Sequence, residues 1–65
     1  MKQFLNKFVY LHIIVDDKHF YYTKALILEI TDTHITFNDD YGNPCTKRIA
    51  DISEIKLSNK VSTEQ

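Results

Sequence analysis

Glycine, proline, cysteine and tryptophan are nearly missing from this chain, with one Gly, one Pro, one Cys and no Trp among 65 residues. A single cysteine, Cys45, excludes an internal disulfide, so the usual staple of a very small domain is not available. The scarcity of Gly and Pro, together with 43% apolar residues, excludes a flexible linker or a disordered tail. Charge of one sign is lacking too. Eight Lys or Arg stand against nine Asp or Glu, a formal net charge of −1, and such a balance supplies no global field for a polyanion. No apolar run approaches the ~20 residues that cross a bilayer. Gln3, Asn6 and Lys7 interrupt the apolar N-terminal residues, where a secretory signal needs a continuous core. With a lone cysteine and no export signal, the expected setting is cytoplasmic and reducing.

What remains is a β-rich pattern that reads as one small domain over 1–58, followed by a polar tail over 59–65 that is expected to fray. A chain of this size buries only about 60% of the surface it exposes when unfolded, so stability is marginal and self-association is the remaining source of support. Phe4, Leu5 and Phe8 lie at helical spacing and predict a short helix over Lys2 to Phe8, packed as a lid over one end of the fold or a partner. From Phe8 the run FVYLHIIV alternates as a strand, with Val9, Leu11, Ile13 and Val15 on one face and Phe8, Tyr10, His12 and Ile14 on the other. Asp16-Asp17-Lys18 supplies a hairpin turn.

His19 to Ile30 has no breaker and is rich in aromatic and β-branched residues, which favours a strand. Its length predicts a bend or bulge near Lys24 and Ala25, with Phe20 and Tyr22 serving one half and Leu26, Leu28 and Ile30 lining the core of the other. Thr31 to His34 forms a polar turn, and Ile35 and Phe37 then alternate with Thr36 and Asn38 as in a half-buried strand. Asp39 to Pro44 is the strongest turn signal, with Gly42 suited to a positive φ and Pro44 to the first residue of the next strand. Cys45 to Ile49 reads as a fourth strand, Ala50 to Ser53 as a single 3₁₀ turn and Glu54 to Leu57 as a fifth strand, with Ile49, Ile52, Ile55 and Leu57 inward.

This order resembles the SH3-like small β-barrels, and among them the Sm-like family. The residues that carry the likeness are Leu26, Leu28, Ile30, Asp32, Ile35 and Phe37, the closing series Lys47 to Ile55, and the opening Phe4-Leu5-Asn6, similar to the bacterial RNA-chaperone branch. The resemblance implies a mainly β, five-stranded barrel with a short N-terminal helix and a one-turn 3₁₀ helix before the last strand. Two positions depart from the family pattern: Lys24 to Leu26 carry no glycine at the bend, and Thr46-Lys47-Arg48 stands where that branch has Tyr-Lys-His at its RNA pore. Only basic character carries over there. Small barrels of this style also resemble uncharacterised phage and plasmid proteins.

No group of residues has the spacing of a catalytic or metal site. His12, His19 and His34, with Asp16, Asp17 and Asp32, match no ligand series and read as strand-surface side chains, so no metal and no cofactor is expected. Asn38-x-Asp40-x-Gly42 lacks the acidic residue that completes a calcium loop and reads as a hairpin. Cys45 has no neighbouring histidine and reads as a small apolar residue. Binding candidates are the aromatics Tyr10, Tyr21, Tyr22 and Tyr41 and the adjacent basic pair Lys47 and Arg48. The expectation is a non-enzymatic binding or adaptor module that self-associates through a strand edge and binds a protein partner at the tyrosines. The alternative is an Sm-like RNA or single-stranded DNA binder, with Lys47 and Arg48 on phosphates and Tyr21 or Tyr41 stacked on bases.

Overall fold

A computed structural model describes residues 1–58, and the expected frayed tail over 59–65 lies outside the described residues. Five antiparallel strands make one sheet: β1 (Phe8–Val15), β2 (Lys18–Ile30), β3 (His34–Asn38), β4 (Pro44–Arg48) and β5 (Ile52–Leu57). Their order across the sheet is β4-β3-β2-β1-β5, so β4 and β5 are edges and do not pair with each other. The sheet curls without closing into a barrel. Its curl brings Lys47 of β4 over the ring of Phe20 in β2, 5.3 Å from the centroid, although β2 and β4 are not neighbours.

The core follows the pleat. Val9, Leu11 and Ile13 of β1 and Ile35 and Phe37 of β3 are buried, as their alternation predicts, and Tyr22 packs its edge onto Phe37 at 5.0 Å between centroids. Beyond Tyr22, β2 departs from the expected phase. Val9 pairs with Ala25 but Leu11 with Tyr22, so Tyr10 faces both Thr23 and Lys24 across a bulge. The bulge falls where β2 was expected to bend, but the extra residue turns the inward set from even to odd numbers. Ala25 and Ile27 are therefore buried and Leu28 is 41% exposed, contrary to the expected inward run Leu26, Leu28, Ile30. A second irregularity, between Ile27 and Glu29 against β3, restores the original phase, so Ile30 does pack on the core. A third, in β5 at Ser53, lets Ile52 and Ile55 both face inward although they are an odd number apart. Leu57, expected inward, ends β5 at 49% exposure.

The N-terminal segment corrects another expectation. It forms only a three-residue 3₁₀ turn, Lys2–Phe4, because so short a segment gains too few hydrogen bonds to offset helix nucleation. Asn6 takes φ 63°, and its amide donates to the Ile27 carbonyl at 2.8 Å, drawing the chain into the sheet instead. Only Phe4 of the three stripe residues packs on the core. The second 3₁₀ turn, Ile49–Asp51, precedes β5 as expected.

Hairpin chemistry sets the register. Asp16 and Asp17 both have positive φ, 52° and 67°, in a two-residue loop between the paired Val15 and Lys18. That geometry suits the right-handed twist of the strands but is costly for any residue with a Cβ. Asp17→Gly is expected to raise stability by about 0.5 kcal/mol, the relief of left-handed strain less the entropy of an added glycine. A denaturation midpoint that falls instead would contradict this account of the turn.

Candidate functional site

On the outer face of β1 and β2, residues that are distant in sequence converge into one plate of rings. His12 lies opposite Tyr21, and His19 lies opposite Ile14, so His19 is the diagonal neighbour of His12. Nε2 of His12 and Nδ1 of His19 are 2.9 Å apart, with their rings 25° from coplanar and the centroids at 5.1 Å. These values describe two imidazoles joined edge to edge by a hydrogen bond. Tyr21 lies nearly parallel to both, at 13° and 4.4 Å from His12 and at 18° and 6.3 Å from His19. Stacking of this kind fixes ring orientation and leaves Tyr21 58% exposed.

The plate continues toward the β5 edge. Tyr10 and His12 lie opposite Lys56 and Glu54. The Lys56 ammonium sits 5.3 Å from the centre of the Tyr10 ring and 3.6 Å from the Glu54 carboxylate. Tyr10 and Tyr21 thus belong to one surface. Tyr22 does not: its alternation turns it inward onto Phe37. Burial raises the pKa of its hydroxyl, and Coulombic interaction with Cys45, Asp39 and Asp40 adds to the rise. Tyr41 stands apart at the tip of the β3–β4 hairpin, 89% exposed.

The basic pair is split by the pleat of β4. Lys47 pairs with Ile35 and turns inward over Phe20, while Arg48 pairs with His34 on the outside. Arg48 donates through Nε and Nη2 to the Asp51 carboxylate at 3.3 and 3.2 Å, a contact that raises its pKa further. The two cations therefore do not face one phosphate chain together. His34 begins β3 and Asp39 follows its end, roughly 17 Å away at strand rise. Nδ1 of His34 is paired with the Thr33 hydroxyl at 2.8 Å. Cys45 is half-buried against the core, where it packs as the small apolar residue it was read to be.

The β3–β4 turn uses its acidic residues on backbone. Asp39 Oδ1 accepts from the amides of Tyr41 and Asn43, both at 2.9 Å, and Gly42 takes φ 85°. Asp40 reaches across to β2. Its Oδ1 accepts from the Lys24 amide at 2.9 Å, and its Oδ2 accepts from the Thr23 amide at 3.2 Å and the Thr23 hydroxyl at 2.9 Å. These are the amides that the first bulge removes from the regular ladder. Beside this hairpin lies a shallow concavity of about 390 Å³, lined by Phe8, Leu26, Lys24, Asn38, Asp39 and Asp40.

The ring plate has no counterpart in the sequence reading, which recognised Tyr10 and Tyr21 but treated His12 and His19 as separate surface residues. A spacing of seven residues across a two-residue hairpin was the available signal. No protein-family model, curated protein or solved structure matches the chain. Among the described residues no helix is long and apolar enough to cross a membrane.

Proposed function

We propose that the chain is a non-enzymatic binding module that self-associates through its edge strands and meets a protein partner on the Tyr10–Tyr21 face. The observation that carries this reading is that, among the described residues, the edge strands β4 and β5 each lack a second neighbour in a curled sheet of so small a domain. Unpaired edges offer free N–H and C=O groups to another chain, and edge pairing between copies would extend a core that one copy cannot make large. The strand order and the 3₁₀ turn before β5 support placing the fold among the SH3-like small barrels, in an open form. An exposed Tyr21 and a half-buried Tyr10 beside a charged pair suit a protein surface, since tyrosine joins large contact area to a polar tip. The separation of Lys47 from Arg48 favours protein over the Sm-like nucleic-acid alternative.

Sedimentation velocity tests the first half. The protein is expected to sediment as an oligomer, and Leu57→Lys, which sets a charge at the half-exposed end of the β5 edge, is expected to yield a folded monomer. A wild-type chain that stays monomeric at high protein concentration would sink the edge-pairing reading. An oligonucleotide mobility shift that weakens steeply with salt would move the assignment to the nucleic-acid alternative.

A further inference from the structure

We propose that the first half of β2 is a docking edge for an extended segment of a partner protein, acidic on one face and aromatic on the other, which adds to the sheet as a strand beside His19 and Tyr21. β3 pairs with β2 only from Leu26 to Ile30, whereas β1 pairs with it down to Lys18. Among the described residues no strand lies on the other side of Lys18 to Tyr22. The direction of the free groups follows from parity. Successive residues of an antiparallel strand turn their N–H and C=O to opposite sides, and the Thr23 amide turns away from β1 to reach Asp40. The backbone groups of Tyr21 and His19 therefore point the same way as those of Thr23, and they face no paired strand. Asp40 closes this edge at the bulge, where an added strand must stop.

The flanking side chains set the chemistry of the occupant. On the inner side Phe20 stays 37% exposed for lack of a neighbouring strand, with the half-buried Lys47 over its ring. The ion pairs among the described residues are Arg48 with Asp51 and Lys56 with Glu54, and neither involves Lys47. Asp16 and Asp17 at the hairpin tip offset the neighbouring Lys18, so the selective charge of the edge is that of Lys47. A carboxylate on the inward face of an added strand would meet it in a partly desolvated place, where charge pairing is stronger than on open surface. On the outer side Tyr21 is held by its stack on His12 and His19, so its ring is already oriented for an aromatic side chain of the partner. A second copy of the chain suits the edge less well, since two-fold pairing about Phe20 would set one Lys47 against the other. Main-chain bonds would hold such a segment, and its alternating side chains would select it. The inference deepens the protein contact proposed at Tyr21 and rests on that reading, whereas self-association through β4 and β5 is separate from it.

Fluorescence anisotropy of the parent protein with the capped, dye-labelled peptide Thr-Tyr-Glu-Tyr-Thr tests the edge. A strand bonds its neighbour through alternate residues only, so N-methylation of the tyrosine amides and N-methylation of the glutamate amide should differ in effect by about tenfold or more. Glutamine in place of the glutamate should weaken binding about fivefold. Lys47→Gln should weaken the glutamate peptide equally and leave the glutamine peptide unchanged, the mark of a direct pair. Amide hydrogen exchange at His19 and Tyr21 should slow when the peptide is bound. A peptide that does not bind, or that tolerates both methylations equally, would overturn the strand addition. Equal methylation effects with binding lost in Tyr21→Ala would leave the protein contact at the tyrosine face standing and overturn the edge alone.

Discussion

Phe37→Ala is expected to remove much or all of the chain's stability at 25 °C. Phe37 is fully buried at the middle of the curled sheet, between Ile27 on β2 and Cys45 on β4, with the Tyr22 ring against its side. Truncation of a buried phenylalanine costs about 3–5 kcal/mol, from lost transfer energy and the cavity that remains. At typical stability per residue the whole domain has roughly 3–10 kcal/mol to lose. The substitution therefore removes much or all of it. Urea denaturation followed by circular dichroism reads the result, and Phe37→Leu, which keeps most of the volume, should cost less than about 1.5 kcal/mol. A Phe37→Ala variant with a near-parental midpoint would show that the site collapses without a cavity, or that the core lies elsewhere.

Asp40→Ala is expected to cost about 1–2 kcal/mol and to remove part of the protein's sensitivity to acid. Three donors converge on this carboxylate, and two of them are the bulge amides of Thr23 and Lys24. Hydrogen bonds to a charged acceptor are worth about 1.5–3 kcal/mol, and the exposure of Asp40 places the value at the lower end. Burial works to raise the pKa of its carboxyl. The amides of Lys24 and Thr23, the Thr23 hydroxyl and the Lys24 charge outweigh burial, and the net pKa is lowered. The sign follows from linkage. A carboxyl whose pKa is lower when folded binds its proton more readily when unfolded, so its contribution is fully present above the unfolded value of about 3.9. It is lost as pH falls through the folded value. Parental and Asp40→Ala stabilities should thus converge in acid. Asp40→Asn is a sharper test: one side of its amide can still accept, but the other sets an NH₂ against donors. It should recover less than half of the loss, and its pH curve should run parallel to that of Asp40→Ala, since neither side chain titrates. Curves that stay parallel down to pH 2 would remove Asp40 from the acid response.

The residues differ in how plainly the sequence foretold their places. Val9, Leu11, Ile13, Ile35 and Phe37 sit on simple alternating runs, and alternation alone sends them inward, since each strand has only two faces. Gly42 and Pro44 likewise announce their hairpin through the backbone angles they allow. Leu28 shows the limit. Its run is apolar at nearly every position, so no contrast between faces marks the phase: the length of the run foretells a bulge near Lys24, but not that its extra residue, at Thr23–Lys24, reverses the inward set. Phe4, Leu5 and Phe8 match a helix by spacing, but pairing of the Asn6 amide with Ile27 competes with two turns of helix and prevails. Lys47 and Arg48 look like one basic patch because they are adjacent. In a strand, adjacency means opposite faces.

The sequence by itself determined the β-rich character, the turns and the greater part of the core, because those follow from local backbone preference and from the period of the pleat. Tertiary structure alone decided that the sheet stays open between β4 and β5, that Asp40 caps the β2 bulge, and that His12 meets His19 under Tyr21. Each of these depends on register, which belongs to a pair of strands and not to either one. A one-residue slip in pairing would carry every one of those side chains to the other face.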